Sequence, residues 1–214
     1  NMGFTMIPFK NSKWIWINKG NNIDEYAEFT FDFESFSCEE NFSINIASDS
    51  NYNLYLNEEI ISFGQYADYP DYKVYDTIKL DKISIGKNVI KIVVWHYGKD
   101  SQTYINDTAG VIFELIKNKQ VIYSSNENTL SRLAINYDNY RNKDITYQLG
   151  LGYKYLANVE NNLPFTKSVN INKSRNFSRR PIKKLVLGER PTISITKLKE
   201  KEFDAFYNNI AEKW

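Results

Sequence analysis

Apolar and polar residues alternate in several short stretches, and this period of two limits the possible folds more than any other feature. Segment 29–34 reads Phe-Thr-Phe-Asp-Phe-Glu, segment 42–46 reads Phe-Ser-Ile-Asn-Ile, and segment 53–57 reads Asn-Leu-Tyr-Leu-Asn. Because successive side chains of a β-strand point to opposite faces, alternation of this kind places all apolar side chains on one face. Each stretch therefore predicts a strand with one buried face.

Turn signals separate these strands and predict hairpins between them. Asn57-Glu58-Glu59 interrupts the apolar pattern and residues 60–63 resume it, while Lys117-Asn118-Lys119 lies between apolar segments 111–116 and 120–123. Residues 89–95 are apolar at nearly every position, as in a central strand of a two-layer structure. We therefore predict an all-β fold, an antiparallel β-sandwich of the galactose-binding-like jelly-roll type.

Three later segments have less regular patterns. Residues 130–140 fit either a short helix or an irregular crossing, and residues 144–155 fit a helical turn followed by a strand. Residues 199–214 place apolar side chains at helical spacing and predict a C-terminal amphipathic helix. We predict an accessory β-sandwich domain over residues 1–190, and a strand and helix over residues 191–214 that lead into a downstream domain.

Composition excludes several classes of function. A net charge of +1 over 214 residues gives no overall field that would attract nucleic acid or an anionic membrane, and no apolar run approaches the length of a membrane helix. The single Cys38 and single His96 exclude an intramolecular disulfide and leave little for a zinc site or a histidine-based triad. We expect no cofactor and no metal, although the Asn106-Asp107-Thr108 turn carries oxygen ligands of the kind that calcium takes.

Two aromatic clusters carry the residue types that bind sugars, because aromatic faces stack on pyranose rings while carboxylates and imidazoles bond the hydroxyls. The first cluster lies in the tyrosine-rich loop 65–73, and the second precedes the polar loop 98–108. The candidate carbohydrate-binding residues are Tyr66, Tyr69, Asp71 and Tyr72 in the first, and Trp95, His96 and Tyr97 in the second. Packing within the domain would use the same residue types, and no pair of carboxylates stands in a catalytic motif.

An ordered set of residues resembles the N-terminal β-sandwich domain of bacterial α-L-rhamnosidases of glycoside hydrolase family 78. The matching residues are Trp14, Trp16, Ala47, Asp49, Tyr52, Leu54-Tyr55-Leu56-Asn57, Gly64, Tyr72, Tyr75-Asp76, Ile78, Gly86, Asn88-Val89-Ile90 and Arg180-Pro181-Ile182. Two positions depart from the pattern: Glu58 replaces the usual glycine after the hairpin asparagine, and Gln65 replaces a proline. The resemblance spans most of the chain in the expected order.

The resemblance implies a glycoside hydrolase segment without its catalytic machinery, since the family's acid and base lie in a helical barrel that follows in sequence. Its partners would be the downstream catalytic domain of the same chain and rhamnose-containing glycans. The alternatives are a free-standing carbohydrate-binding module and a structural or protein-interaction domain, the latter supported by Trp14, Trp16 and the terminal helix. Residues 1–10 carry no leader pattern, which favours a cytoplasmic location.

Overall fold

The computed structural model describes residues 7–19, 22–37, 39–65, 69–146 and 148–184. Within these ranges the chain forms fifteen strands and no helix. The strands are β1 (Ile15–Trp16), β2 (Glu25–Ser35), β3 (Phe42–Asp49), β4 (Asn51–Leu56), β5 (Glu59–Gln65), β6 (Tyr72–Leu80), β7 (Gly86–His96), β8 (Gly110–Lys117), β9 (Gln120–Ser124), β10 (Leu130–Leu133), β11 (Asp144–Thr146), β12 (Gly150–Leu151), β13 (Thr166–Lys167), β14 (Val169–Asn170) and β15 (Asn176–Arg179).

The strands form two large sheets and one small one. One sheet has the order β13-β10-β2-β7-β4-β5, and the other has the order β14-β1-β8-β3-β6-β15 with β9 also paired to β8. Neighbouring strands are antiparallel except for β15, which runs parallel to β6. Strands β11 and β12 pair only with each other.

The inner faces of the two large sheets pack against each other and form one hydrophobic core. The ring centroids of Phe31 on β2 and Phe113 on β8 are 5.2 Å apart, and those of Phe33 and Phe42 are 5.0 Å apart. Phe29 and Ile44 are 0% exposed. The period-two pattern thus fixes which side chains enter the core, and the predicted all-β sandwich is confirmed.

Trp14 and Trp16 lie inside the protein on opposite sides of the seven-stranded sheet. They are 2% and 0% exposed, and the Trp16 ring lies 5.7 Å from that of Phe29 in the core. The Trp14 indole donates a hydrogen bond to the backbone oxygen of Ala109. Their burial removes the support that two surface tryptophans would have given to a protein-interaction domain.

The predicted hairpin of β4 and β5 turns at Asn57 and Glu58, whose φ angles are 48° and 68°. Two successive positive φ angles are typical of the tight type I′ hairpin turn. Further along β5, a Cβ atom at Gly64 would lie only 2.0 Å from the ring of Tyr52. The glycine therefore lets the Tyr52 ring lie flat against β5.

Residues 134–146 and 148–156 run beside the outer face of the six-stranded sheet and are irregular apart from β11 and β12. The backbone N–H of Ala134 bonds to the oxygen of Tyr26, and that of Leu156 bonds to the oxygen of Asn136. Of the two structures considered for residues 130–140, the irregular crossing is present, preceded by strand β10. The helical turn considered after residue 144 is replaced by strands β11 and β12.

The predicted strand and helix over residues 191–214 lie outside the described residues. The chain divides into two compact units, Asn1–Pro181 and Ile182–Trp214. The boundary near residue 190 stays a prediction. No helix in the described ranges has the length and apolar character needed to cross a bilayer.

Candidate functional site

A cleft of about 720 Å³ lies on the outer face of the six-stranded sheet, between strands β2, β7 and β4 and the crossing segment 134–156. Seven aromatic residues line it, and we call it the aromatic groove. They are Tyr26, Tyr52, Tyr55, Trp95, Tyr137, Tyr153 and Tyr155. A cleft with this many aromatic rings and a few convergent polar groups has the general character of a ligand site.

Strand register explains why the groove forms at this place. Trp95 on β7 is paired with Tyr26 on β2 and with Asn51 on β4. Two residues along β7, Val93 is paired with Glu28 and Asn53. Because Ile92 and Val94 point into the core, these residues must point outward, where they form the floor of the groove.

Four rings stack in a row at one end of the groove. Tyr137 lies 4.5 Å from Tyr26 with an interplanar angle of 5°, Tyr26 lies 5.1 Å from Trp95, and Trp95 lies 4.3 Å from Tyr97. The Trp95 indole also donates a 2.8 Å hydrogen bond to Asp24. Stacking on both faces and this hydrogen bond hold Trp95 in a single orientation.

Other rings of the groove remain open to solvent. Tyr153 and Tyr155 are 68% and 52% exposed, and Tyr155 meets Tyr137 edge to face at 5.2 Å. On the opposite side, Lys91 lies 4.8 Å above the half-buried ring of Tyr55 and pairs with the carboxylate of Glu58. The groove thus combines a fixed aromatic wall with accessible rings.

Neutral hydrogen-bonding groups lie between the rings. The Asn53 side chain interacts with the hydroxyls of Tyr55 and Tyr137 and partly offsets the rise in the pKa of each. Burial, with a smaller contribution from Tyr55, raises the pKa of Tyr137 to about 12. This hydroxyl therefore stays protonated at neutral pH, where it can both donate and accept.

The structure separates the three residues of the second predicted cluster. Trp95 lines the groove and Tyr97 stacks behind it. His96 points to the opposite face of β7, is 0% exposed, and places Nδ1 2.9 Å from an Asp49 oxygen. His96 is therefore an interior residue that does not face the groove.

The first predicted cluster does not line the aromatic groove. Tyr72, the first residue of β6 in the other sheet, is 65% exposed, and Tyr69, three residues before it, is 68% exposed. Asp71 is exposed between them. The backbone N–H of Tyr72 bonds to the oxygen of Tyr69. Tyr66 lies outside the described residues, and a sugar site on this loop stays a prediction.

Asp49 is the centre of a buried polar cluster inside the sandwich. Its carboxylate contacts Lys73 at 2.9 Å, His96 at 2.9 Å and the Tyr104 hydroxyl at 2.5 Å. Burial by itself would raise the pKa of Asp49, but the hydrogen bond from His96 and the charge of Lys73 outweigh it and hold the pKa at about 2. These contacts satisfy an ionised carboxylate that is fully enclosed.

Asp107, the residue of the calcium-like turn, has cations as its partners. Lys173 and Arg175 both pair with its carboxylate, and Lys73 lies 3.7 Å away. Arg175 in turn stacks on the Trp14 ring at 4.2 Å. These positive charges occupy both carboxylate oxygens of Asp107, so the ion pairs fix the turn to the segment that carries Lys173 and Arg175. No group of three residues of the types that bind metals occurs in the described ranges.

Comparison with known proteins identifies the fold. Neither a protein-family model nor a curated protein matches the chain. Among solved structures, it is similar to a GH78 family rhamnosidase of Bacillus sp. GL1, with a TM-score of 0.67, 19% identity and coverage of 81% of this chain. The α-L-rhamnosidase of Dictyoglomus thermophilum matches with a TM-score of 0.55, 17% identity and coverage of 76%. The fold is one found in α-L-rhamnosidases.

The chain spans about a fifth of the length of these two enzymes, since the matches cover 20% and 21% of their chains. This finding confirms the resemblance that the motifs indicated, as a fold shared with one part of much longer α-L-rhamnosidases.

Sequence reasoning missed most of the groove. Tyr26 and Tyr55 could have been found from the period of two. Tyr26 in β2 and Tyr55 in β4 each stand one position away from the buried apolar residues of their strand, so they must point outward. Tyr137, Tyr153 and Tyr155 lie in an irregular segment without periodicity, so no pattern showed that they face the sheet. Trp95 alone connects the predicted cluster to the groove.

Proposed function

We propose that the chain is a non-catalytic accessory domain of an α-L-rhamnosidase-like glycoside hydrolase and that it binds carbohydrate in the aromatic groove. The observation that carries the proposal is the exposure of Tyr153 and Tyr155 beside a rigid aromatic stack and a row of amide and charged groups. We further propose that the sandwich is of the galactose-binding-like jelly-roll type. A catalytic domain of the same parent protein is the proposed partner.

The chemistry of the groove suits a sugar ligand. Exposed rings such as Tyr155 offer flat apolar faces to the C–H side of a pyranose. Asn51 and Asn53 offer amides, and Lys91 offers a charged donor, all within reach of the same cavity. Rings for stacking together with neutral donors and acceptors favour a polyhydroxylated ligand over a purely apolar one.

The carboxylates of the groove do not form a hydrolytic pair. Hydrolysis of a glycosidic bond needs one carboxyl group to protonate the leaving oxygen and another to activate water or attack the sugar. Glu28 is bound by Arg132 at 2.9 Å, and Glu58 is bound by Lys91. Both carboxylates are thus engaged by cations, which supports binding without catalysis.

The test is a calorimetric titration with L-rhamnose, rhamnosides and a panel of other neutral oligosaccharides. We expect saturable binding, weakened at least tenfold in Tyr155→Ala, since this substitution removes an exposed ring and leaves the core intact. A tenfold loss corresponds to about 1.4 kcal/mol. Tyr69→Ala, which removes another exposed tyrosine that lies outside the groove, is the control and should bind as the parent does.

Other results would point elsewhere. Loss of binding in Tyr69→Ala or Tyr72→Ala, with Tyr155→Ala unaffected, would move the site to the tyrosine-rich loop. A flat titration with every sugar, with the protein folded by circular dichroism, would contradict carbohydrate binding and leave a scaffold role. Hydrolysis of an aryl rhamnoside by this chain alone would contradict the non-catalytic assignment.

A further inference from the structure

The aromatic groove continues into a second cavity of about 660 Å³. Five residues line both cavities, so they form one continuous depression. The shared residues are Glu28, Glu58, Lys91, Asn136 and Tyr155. We call the second cavity the polar extension.

The floor of this depression runs along strand β7. Trp95 and Val93 line only the aromatic groove, Lys91 lines both cavities, and Val89 lines only the polar extension. From Trp95 to Val89 the strand advances by six residues, which corresponds to about 20 Å. The depression is therefore several times longer than it would need to be for a single sugar ring.

The wall of the polar extension is fixed before any ligand binds. Arg132 donates hydrogen bonds to the backbone oxygens of Asn161 and Leu163 at 2.8 and 3.0 Å, and to Glu28 at 2.9 Å. Its guanidinium also lies 4.1 Å above the ring of Phe165. These contacts tie segment 161–165 to the sheet, so the site needs little ordering when a ligand enters.

Unsatisfied polar atoms mark both halves of the depression. Tyr26 Oη, Asn136 Oδ1 and Arg132 Nε are buried and have no hydrogen-bond partner among the described residues. Tyr26 belongs to the aromatic groove, Arg132 to the polar extension, and Asn136 to both. A buried polar atom without a hydrogen-bond partner destabilises the protein. After a small shift of these side chains, a hydroxyl-rich ligand could bond to the three atoms. The ligand would then gain affinity along the whole length of the depression.

The charges of the depression disfavour an acidic chain. Lys91 and Arg132 are each paired with a glutamate. Glu160 adds a further carboxylate to the polar extension. Positive charge is thus neutralised throughout, whereas a site for a uronic acid polymer would need free cations.

On the basis of the proposed carbohydrate binding, we propose that the depression holds a neutral oligosaccharide chain of several residues, extended along β7. The aromatic groove stacks one part of the chain, and the polar extension bonds the hydroxyls of the rest. The domain then recognises the interior of a polysaccharide and not only a terminal sugar.

The experiment measures Kd by calorimetry for rhamno-, xylo- and cello-oligosaccharides of one, two, four and six residues, with oligogalacturonides as the acidic comparison. We expect affinity for the preferred series to rise at least tenfold from the disaccharide to the hexasaccharide. Val89→Arg, which fills the polar extension, should abolish this gain and leave disaccharide binding unchanged. Val89→Thr, of similar size, is the matched control and should keep the gain.

Each outcome separates the two proposals. Tyr153→Ala, in the aromatic groove alone, should weaken every chain length. Binding that does not increase with length, or a gain that survives Val89→Arg, would overturn the extended site but keep the proposed function. Tighter binding of oligogalacturonides would overturn the neutral ligand. Absence of binding to all sugars would overturn the proposed function and the extension together.

Discussion

The ring of Tyr137 lies 4.5 Å from the ring of Tyr26, with their planes only 5° apart. Tyr26 belongs to strand β2, whereas Tyr137 belongs to the irregular segment that follows β10. This contact between distant parts of the chain joins the crossing segment to the sheet and builds one wall of the aromatic groove.

Tyr137→Ala is expected to weaken sugar binding and to destabilise the domain by about 1 kcal/mol, because it removes the stack on Tyr26. Urea denaturation and calorimetric titration would measure the two effects. Tyr137→Phe keeps the ring and loses only the hydroxyl, which interacts with Asn53. It should retain most of the stability, and an equal loss in both variants would contradict a stacking role.

Gly64→Ala is expected to destabilise the domain by about 1–3 kcal/mol, since the new methyl group would overlap the Tyr52 ring. The comparison is the same substitution in a Tyr52→Leu background, where the ring is absent. Chemical denaturation of the four proteins gives a double-mutant cycle. Equal costs of Gly64→Ala in both backgrounds would show that the ring is not the cause.

Glu58→Gly is expected to be more stable than Glu58→Ala by about 1 kcal/mol, because glycine accepts a positive φ at little cost and alanine does not. Glu58 has a φ of 68° at the hairpin turn, where the resembling family has glycine. Both variants lose the pair with Lys91, so their difference in thermal unfolding isolates the backbone. Equal midpoints would contradict strain at this residue.

Acid is expected to destabilise the domain between about pH 4 and pH 2 through Asp49. The pKa of Asp49 is about 2 in the folded protein, below its usual value of 3.8, so its ionised form stabilises the fold above about pH 4. That contribution falls as pH drops towards the folded pKa. Free energies of unfolding measured across this range should decline less steeply in Asp49→Asn, and an unchanged slope would contradict the assignment.

Local patterns were sufficient to predict strands β2 to β5 and β7 to β9 and the core that they enclose, but not the short strands after residue 130. Phe29 and Ile44 are buried because alternation alone decides which face of a strand they occupy, and the hairpin at Asn57 follows from an interrupted apolar run. Strand order was not predictable in this way. The parallel pairing of β15 with β6 joins residues 176–179 to 72–75, and no local pattern encodes such a contact.

The groove also depends on contacts between residues that are far apart in the sequence. Trp95 was a candidate because it belongs to an aromatic run before a polar loop. Its neighbours on the outer face, however, are set by the pairing of β7 with other strands and by the segment that follows β10. The same three-residue run also placed His96 beside Trp95, although adjacent residues of a strand point to opposite faces. Applying that rule to residues 95–97 would have separated His96 from the sugar-binding candidates.

The arrangement of the seven-stranded sheet has a consequence for protein synthesis. Strand β1 pairs with β14, and β6 pairs with β15, so the two outer positions of the sheet are filled by residues 169–179. While a ribosome is still making the chain, β1 and β6 would expose hydrogen-bonding edges that can capture other strands. Both edges stay open until residues 169–179 have left the ribosome, so slow translation of this stretch is a hazard and gives chaperones a reason to act on this domain.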